Sequence, residues 1–167
     1  ILSMHTNMDN AQGGVNFKMA EKMQLTGVKF FTEKQVDGIT CGSGVMGELP
    51  GAMAADDFIM MLKREFDVEC VQCNQLLRRP IHTVAICGGA GSFLLPEAIA
   101  AGADAFVTGE MHYHDYFAHE QEIQIAVIGH YQSEQYTYEI FKSIIEEQCE
   151  GVRCVVTSQN TNPIIYL

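Results

Sequence analysis

The sequence predicts an α/β protein with a mixed, largely parallel sheet flanked by helices. In the second half of the chain, short apolar runs alternate with helical patterns, beginning with Thr83–Cys87 and Phe93–Ala101. Strands that are separated by helices are typical of the crossover connections in parallel sheets. A length of 167 residues, of which 47% are hydrophobic, is enough for one domain with its own core. We therefore predict a single α/β unit over residues 1–167.

The first half of the chain contains two helical patterns, because apolar residues recur at helical spacing in Val15–Met23 and Ala54–Phe66. The stretch Gln35–Pro50 contains four glycines and is predicted to be a loop. Short apolar runs predict strands at Ile1–Met4, Val28–Phe31 and Val68–Cys73.

The second half repeats a strand, a turn and a helix several times. The predicted helices are Phe93–Ala101, Asp115–Gln121 and Ser133–Gln148. The predicted strands are Thr83–Cys87, Ala105–Thr108, Ile123–Ile128, Val152–Thr157 and Ile164–Leu167.

Three turns follow successive strands of this half, namely Gly88–Ser92, Gly109–Asp115 and Gly129–Glu134. In open α/β sheets, ligands bind beyond the carboxyl ends of the strands. We therefore expect the three turns to share one crevice.

The charge of the chain bears on its partners. The formal net charge is −11, and the ten Lys and Arg residues are scattered, so we expect no nucleic-acid partner. Apolar runs long enough for a membrane span are absent from the sequence, so we expect no membrane partner. The six cysteines are best explained as buried free thiols in a reducing cytoplasm, because a domain of this size does not need disulfides.

His130 and Glu134 lie four positions apart at the start of a predicted helix. An imidazole and a carboxylate at this spacing share one helix face and can hold a metal ion. The alternative is a helix cap, with Ser133 as the N-cap and Glu134 favoured by the helix dipole. A helix cap would account for Ser133 and Glu134 but not for the presence of His130.

His112 and His114 lie in the second turn, between Glu110 and Asp115. Two histidines in this setting could bind metal or act as acid and base near neutral pH. The alternative is an exposed polar loop. A His-Glu-x-x-His motif is absent from the sequence, which excludes a zincin.

The glycine turn, Gly88–Ser92, leads from a strand into a helix. Its amides could cradle an anion at the helix start. It matches neither the Walker pattern nor the dinucleotide fingerprint, and a tight turn that glycine permits is the alternative. Cys70 and Cys73 have the spacing of a zinc pair but no second pair nearby, so we interpret them as structural.

Five stretches of the chain together carry a resemblance to one family. The stretches are His-Thr-Asn-Met-Asp-Asn-Ala-Gln-Gly-Gly-Val-Asn (5–16), Gly-Glu-Leu-Pro (47–50), Val-Ala-Ile-Cys-Gly-Gly-Ala-Gly-Ser (84–92), Ala-Gly-Ala-Asp-Ala-Phe-Val-Thr-Gly-Glu (101–110) and Gly-His-Tyr-x-x-Glu (129–134). They resemble the type 2 GTP cyclohydrolase I family, also called the NGG-interacting factor three-like proteins, occur in the order of that family and span essentially the whole chain. The resemblance implies a two-metal site in a Nif-three-like α/β fold and a homo-oligomer, a hexameric ring.

The resemblance also implies ligands. Asp9, His130 and Glu134 match family positions that bind two divalent metal ions, which would be zinc, iron or manganese. Family members draw further ligands from a His-His-Pro segment, and this chain contains none. We therefore expect a fragment that lacks the N-terminal part of the fold and carries an incomplete site. Val45 and Met46 also replace an Arg that many relatives place in this region, and the central insert of some members is absent.

The function that follows is a metal-dependent hydrolase acting on a small molecule, a nucleotide or related heterocycle. His114 or His112 would donate a proton to the leaving nitrogen, while Glu110 and the glycine turn would contact substrate. The substrate-binding residues of that turn are Gly88, Gly89, Gly91 and Ser92. One alternative is a metal-binding regulatory or interaction module without turnover. Another is a plain scaffold in which His130 and Glu134 only cap a helix.

Overall fold

The structure is a computed structural model that describes residues 1 and 3–165. Its helices, α1 to α6, are Thr6–Asp9, Val15–Lys22, Ala55–Glu65, Leu95–Ala100, His130–Glu134 and Thr137–Gln148. Short 3₁₀ turns span Ser92–Leu94 and Tyr113–Tyr116. The strands, β1 to β8, are Thr26–Phe30, Glu33–Val36, Ile39–Gly42, Val45–Met53, Gln72–Cys73, Ile81–Cys87, Ala105–Thr108 and Gln124–Val127.

Six strands form one sheet in the order β1-β4-β6-β7-β8-β5, and β2 pairs with β3 in a separate hairpin. The pairs β6–β7 and β7–β8 are parallel, whereas β1–β4, β4–β6 and β5–β8 are antiparallel. The predicted α/β class with a mixed sheet flanked by helices is confirmed. The parallel part is confined to the three central strands, so the sheet is less parallel than the sequence predicted.

The sheet buries both of its faces, because every residue of β7 and β8 is buried. Phe58 and Leu62 of α3 pack into one cluster, with Met19 of α2. The other cluster contains Phe106 and Ile125 from the opposite face, beneath α4. Burial of side chains of this size contributes about 1.5–3 kcal/mol each. This two-sided core fixes the carboxyl ends of β6, β7 and β8, where the candidate site lies.

The predicted loop Gln35–Pro50 is wrong, because it contains β3 and most of β4. Its glycines suggested a loop, but Val45, Gly47 and Leu49 alternate as the buried side of a strand. Gly47 serves close packing there, since a Cβ at this position would lie 2.9 Å from the carbonyl oxygen of Thr26 in the neighbouring strand. The extra strand adds two antiparallel pairings to the sheet.

The chain ends also differ from the prediction. Val152–Thr157 forms no strand, and Val155 is 82% exposed, because a strand needs a neighbour and the described residues provide none. The described residues of Ile1–Met4 and Ile164–Leu167 are likewise not strands, while Leu2, Tyr166 and Leu167 lie outside the described residues.

Other elements are shorter than predicted. The helix expected at Ser133–Gln148 is two helices, α5 and α6, and that expected at Asp115–Gln121 is the 3₁₀ turn at Tyr113–Tyr116. Of Val68–Cys73, only β5 is a strand. All six cysteines are free thiols, as predicted, but only Cys87 is buried, so the predicted burial of the others is wrong. In the described part of the chain, every helix is too short or too polar to cross a bilayer.

Asp104 joins the starts of β6 and β7, and replacing it with alanine is expected to destabilise the fold by about 2–4 kcal/mol. Its carboxylate accepts hydrogen bonds from the amides of His82 and Thr83, both 2.9 Å, and pairs with Arg79. Burial raises the pKa of Asp104, but these bonds outweigh burial, so the net pKa is lowered. Because the folded-state pKa is lowered, the stabilisation is present above the ordinary value of 3.8 and is lost as the pH falls through the lowered value.

Chemical unfolding of the Asp104→Ala variant and the parent chain at pH 7 and at pH values below 3.8 measures this effect. The difference between them should be full at pH 7 and should shrink in acid. Asp56→Ala, which removes an exposed carboxylate from the first turn of α3, is the control and should cost less than about 1 kcal/mol. A loss at Asp104 no larger than at Asp56 would contradict the assignment.

Candidate metal centre

A cavity of about 860 Å³ lies at the carboxyl ends of the parallel strands. Glu110, which follows β7, and His130, which follows β8, both line it. Asp9 and His5 line it from the N-terminal segment, and Glu134 from the end of α5. The three predicted ligands therefore line one cavity, Asp9 from α1 and the other two from α5.

His130 and Glu134 are the first and last residues of α5, one helical turn apart. The Nε2 atom of His130 lies 3.5 Å from Oε1 of Glu134. On the other side of the ring, Nδ1 lies 2.7 Å from Oε1 of Glu110. A carboxylate at this distance accepts a hydrogen bond from the Nδ1–H of the ring. Nε2 is then the ring nitrogen on the side of Glu134, and a carboxylate on Nδ1–H is the arrangement found in histidines that bind metal through the other nitrogen.

Asp9 and Glu134 are carboxylates held partly out of water. Burial raises the pKa of Asp9, against the opposing charges of His5 and His130. Burial also raises the pKa of Glu134; His130 and His5 act against it, and the negative charges of Asp9 and Glu110 add to it. Both carboxylates therefore lie in a half-buried space, and the charge of Asp9 disfavours the charge of Glu134. A cation between them would relieve both desolvation and repulsion.

The donor set of this cavity is imidazole nitrogen and carboxylate oxygen, which suits zinc, iron or manganese. Gly89 leaves room for it, because a Cβ at that position would lie 2.5 Å from Oε1 of Glu134 and 3.5 Å from Nε2 of His130. Within residues 1 and 3–165, no three His, Cys, Asp or Glu side chains are close enough together to form a metal-binding group. The described residues thus offer a preformed pair, His130 and Glu134, with Asp9 nearby: a partial ligand set whose chemistry fits a divalent cation.

The glycine turn does not present the anion cradle that the sequence suggested. The amide of Gly88 donates to Oδ1 of Asn16 at 2.8 Å, and that of Gly89 donates to Oγ of Ser133 at 2.9 Å. The amide of Gly91 donates to Oγ1 of Thr108 at 3.2 Å. Because these three donors are already used inside the protein, they are not free to bind a phosphate. The amides of Gly88, Gly89 and Gly91 therefore do not form the predicted anion cradle, while contact between this turn and a substrate stays a prediction.

Ser133 is not the N-cap that the alternative reading of this segment required. Gly129 occupies the N-cap position of α5, and its helix end has no side-chain cap. Ser133 is buried in the helix, where its hydroxyl donates to the carbonyl of His130 at 2.8 Å and accepts from Gly89. The capping explanation for this segment is therefore wrong, although its metal-binding role stays a prediction.

A second cavity of about 520 Å³ shares Glu110 and His130 with the first. Ser92 and His112 line it, so both lie beside the candidate metal centre. His114 is 80% exposed at its side chain and lines neither cavity. Of the two predicted proton donors, only His112 is brought to the site.

The sequence did not single out Asn16. This residue is 1% exposed and sits between buried Val15 and Met19 on the inward face of α2. A polar residue on an apolar helix face was the one signal that could have identified it. Its contacts reach two of the segments that line the site.

The sequence profile of Duf34/NIF3 (NGG1p interacting factor 3) matches residues 1–163. A Streptococcus pneumoniae protein named GTP cyclohydrolase 1 type 2 homolog is 32% identical over 114 residues, which are 66% of this chain and 42% of that protein. A Clostridium perfringens protein of the same name is 27% identical over 171 residues, covering 100% of this chain and 64% of that protein. The chain therefore spans less than two thirds of these relatives.

Solved structures share the fold. The Staphylococcus aureus protein SA1388 superposes with a TM-score of 0.87 at 24% identity, covering 99% of this chain and 69% of that one. A Bacillus cereus protein related to NIF3 superposes with a TM-score of 0.82 at 19% identity, covering 98% of this chain and 72% of that one. At these identities the likeness establishes the fold alone.

Proposed function

The chain belongs to the Duf34/NIF3 family, and we propose that it binds divalent metal ions through Asp9, His130 and Glu134. We further propose that it is a metal-dependent hydrolase acting on a nucleotide or related heterocycle. The observation that carries the proposal is the convergence of these side chains on one cavity, with the pKa of both carboxylates raised by burial.

Each residue has a distinct part in this proposal. Glu110 holds the Nδ1–H of His130, which leaves Nε2 beside Glu134 as a nitrogen ligand. Asp9 supplies a second carboxylate from the N-terminal segment. A divalent ion held by these residues would lower the pKa of a bound water toward neutrality. His112, at the wall of the second cavity, is placed to hold a proton for a leaving nitrogen.

The substrate class rests on the names of the two relatives and on the walls of the cavities. In the described chain, neither cavity is lined by Lys or Arg, and the amides of Gly88, Gly89 and Gly91 are used internally. The phosphates of a nucleotide would therefore depend on the metal for their positive partner. The second cavity has apolar walls, including Met111 and Val127, which suit the flat faces of a heterocycle.

One observation favours the alternative, a metal-binding regulatory module without turnover. His112 and His114 are 77% and 80% exposed at their side chains, so this chain alone does not exclude water from the proposed proton donor. The hexameric ring and the cytoplasmic location stay predictions. Exposed Ile144 and Ile145 on α6 support assembly, and the free cysteines support a reducing compartment.

We expect the purified 167-residue chain to bind Mn²⁺, and His130→Ala to weaken that binding at least about 10-fold. Mn²⁺ is the probe because it prefers oxygen and nitrogen ligands and avoids the exposed thiols of Cys70 and Cys73. The paramagnetic resonance signal of free Mn²⁺ reports the affinity. His82→Ala is the control, since His82 lines neither of the two cavities.

Equal Mn²⁺ binding by the parent chain and His130→Ala would overturn the metal site. An activity assay then distinguishes the hydrolase from the regulatory module. The chain is incubated with GTP or guanosine in the presence of Mn²⁺, and product formation is measured by chromatography. Turnover that is lost in His130→Ala supports the hydrolase. Metal binding without turnover of either compound supports the regulatory module.

A further inference from the structure

Asn16 lies in the first turn of α2 and is 1% exposed. Both polar atoms of its side-chain amide form hydrogen bonds. Nδ2 donates to the carbonyl oxygen of Asp9 at 2.9 Å, and Oδ1 accepts from the amide of Gly88 at 2.8 Å. One buried side chain therefore connects the segment that carries Asp9 to the start of the glycine turn.

The next residue of the turn is connected to the other ligands. The amide of Gly89 donates to Oγ of Ser133, and that hydroxyl donates to the carbonyl of His130. Gly89 also faces Glu134, whose carboxylate occupies the space where a Cβ would stand. The segment that carries Asp9 and the helix that carries His130 and Glu134 are therefore both hydrogen-bonded to adjacent glycines.

A third connection holds the turn itself. Oγ1 of Thr108 accepts from the amide of Gly91 at 3.2 Å and donates to the carbonyl of Gly89 at 3.4 Å. Thr108 is fully buried at the end of β7, in the centre of the sheet. The turn is thus hydrogen-bonded to a fully buried residue of the central sheet, so the segments that are hydrogen-bonded to the turn are positioned relative to the sheet.

We infer that Asn16 is a positioning residue that sets Asp9 relative to His130 and Glu134 through the glycine turn. The inference rests on the proposed metal site. Burial makes the connection effective, because water cannot readily replace the hydrogen bonds of a side chain that is only 1% exposed. The glycine turn, predicted to bind an anion, instead aligns ligands from two separate segments.

The test replaces Asn16 in two ways. Asn16→Leu removes both hydrogen bonds at similar volume. Asn16→Asp keeps an acceptor for Gly88 but replaces the amide donor that faces the Asp9 carbonyl. An added carboxylate acting by charge alone would strengthen Mn²⁺ binding, whereas misplacement of Asp9 weakens it. We expect both variants to bind Mn²⁺ about 10–100-fold more weakly, the range found when groups that orient ligands are removed.

Gln124→Leu is the matched control. Gln124 is also fully buried, and its side chain bonds to Asn74 and to the amide of Leu77, away from the two cavities. It should lose thermal stability as Asn16→Leu does, but keep the Mn²⁺ affinity of the parent chain. Faster hydrogen exchange of the Gly88 amide in Asn16→Leu, measured by NMR, should accompany the loss of affinity.

The possible outcomes distinguish failure of the Asn16 positioning role from failure of the proposed metal site. If the parent chain binds no Mn²⁺, the proposed metal site is wrong. The positioning role of Asn16 is then tested by NMR alone: shifted resonances of Asp9 in Asn16→Leu support it, and unchanged resonances overturn it. If the parent chain binds Mn²⁺ and both Asn16 variants bind it equally well, the metal site stands and the inference is overturned. Weaker binding in Gln124→Leu to the same degree would also overturn it, because loss of stability alone would then explain the effect.

Discussion

Replacing Glu134 with glutamine is expected to abolish measurable Mn²⁺ binding and to leave the metal-free chain at least as stable as before. Glutamine keeps the size of the side chain and removes its charge. The loss of a direct ligand should lower the affinity by more than the roughly 10–100-fold seen for groups that only orient ligands. Stability should move the other way, because Glu134 is a half-buried charge beside Asp9.

The sign of the stability change in Glu134→Gln follows from the direction in which the pKa of Glu134 is shifted. Burial raises the pKa of Glu134, and the charge of Asp9 adds to that effect. A raised folded-state pKa means that the ionised carboxylate is less favourable in the folded chain than in the unfolded one. Removing that charge therefore removes a cost at neutral pH. The same carboxylate becomes favourable only when a cation is present.

Thermal unfolding with and without Mn²⁺ measures both effects in one experiment. The parent chain should gain stability on adding Mn²⁺, and Glu134→Gln should not. Glu122→Gln is a matched control, because Glu122 pairs with His119 at 2.7 Å in a second histidine–carboxylate pair that lines neither cavity. A metal-free Glu134→Gln chain that unfolds several degrees below the parent would show that Glu134 is a structural ion pair with His130 instead.

The central part of the fold could be predicted from the sequence because its signals are local. Ala105–Thr108 is a mostly apolar run bounded by turn residues, and the structure has the strand at these residues. The spacing of His130 and Glu134 likewise requires only a helix to place both on one face. Asp9 could not be placed by spacing, since it is more than a hundred residues away in the chain. Only the resemblance to a family joined it to the other two.

The remaining features depend on contacts between distant segments. Val45 and Gly47 belong to a strand because β1 and β6 flank it, and nothing in the glycine-rich sequence around them indicates those neighbours. The run Val152–Thr157 has the composition of a strand but no partner among the described residues. The use of the glycine amides was hidden in the same way, since their acceptors, Asn16, Ser133 and Thr108, come from three other segments.

Gly89→Ala is expected to cost both stability and metal affinity, because two separate requirements for glycine coincide there. Its φ of +60° is a left-handed conformation, in which a side chain costs about 1–2 kcal/mol. Its Cβ would also lie 2.5 Å from Oε1 of Glu134, so the carboxylate must move. Since that carboxylate is a proposed ligand, its displacement should weaken Mn²⁺ binding about 10–100-fold.

Gly102→Ala separates the two requirements. Gly102 has a φ of +79°, but a Cβ there would meet no atom within 4 Å. The control should therefore lose stability through backbone strain alone and keep its Mn²⁺ affinity, whereas Gly89→Ala should lose both. Chemical unfolding and Mn²⁺ titration of the two variants decide the matter. Equal Mn²⁺ affinities in Gly89→Ala and Gly102→Ala would contradict this prediction. Either the Glu134 carboxylate could then move without loss of metal binding, or Glu134 would not be a ligand. In both cases glycine would be required at position 89 only for the conformation of the turn.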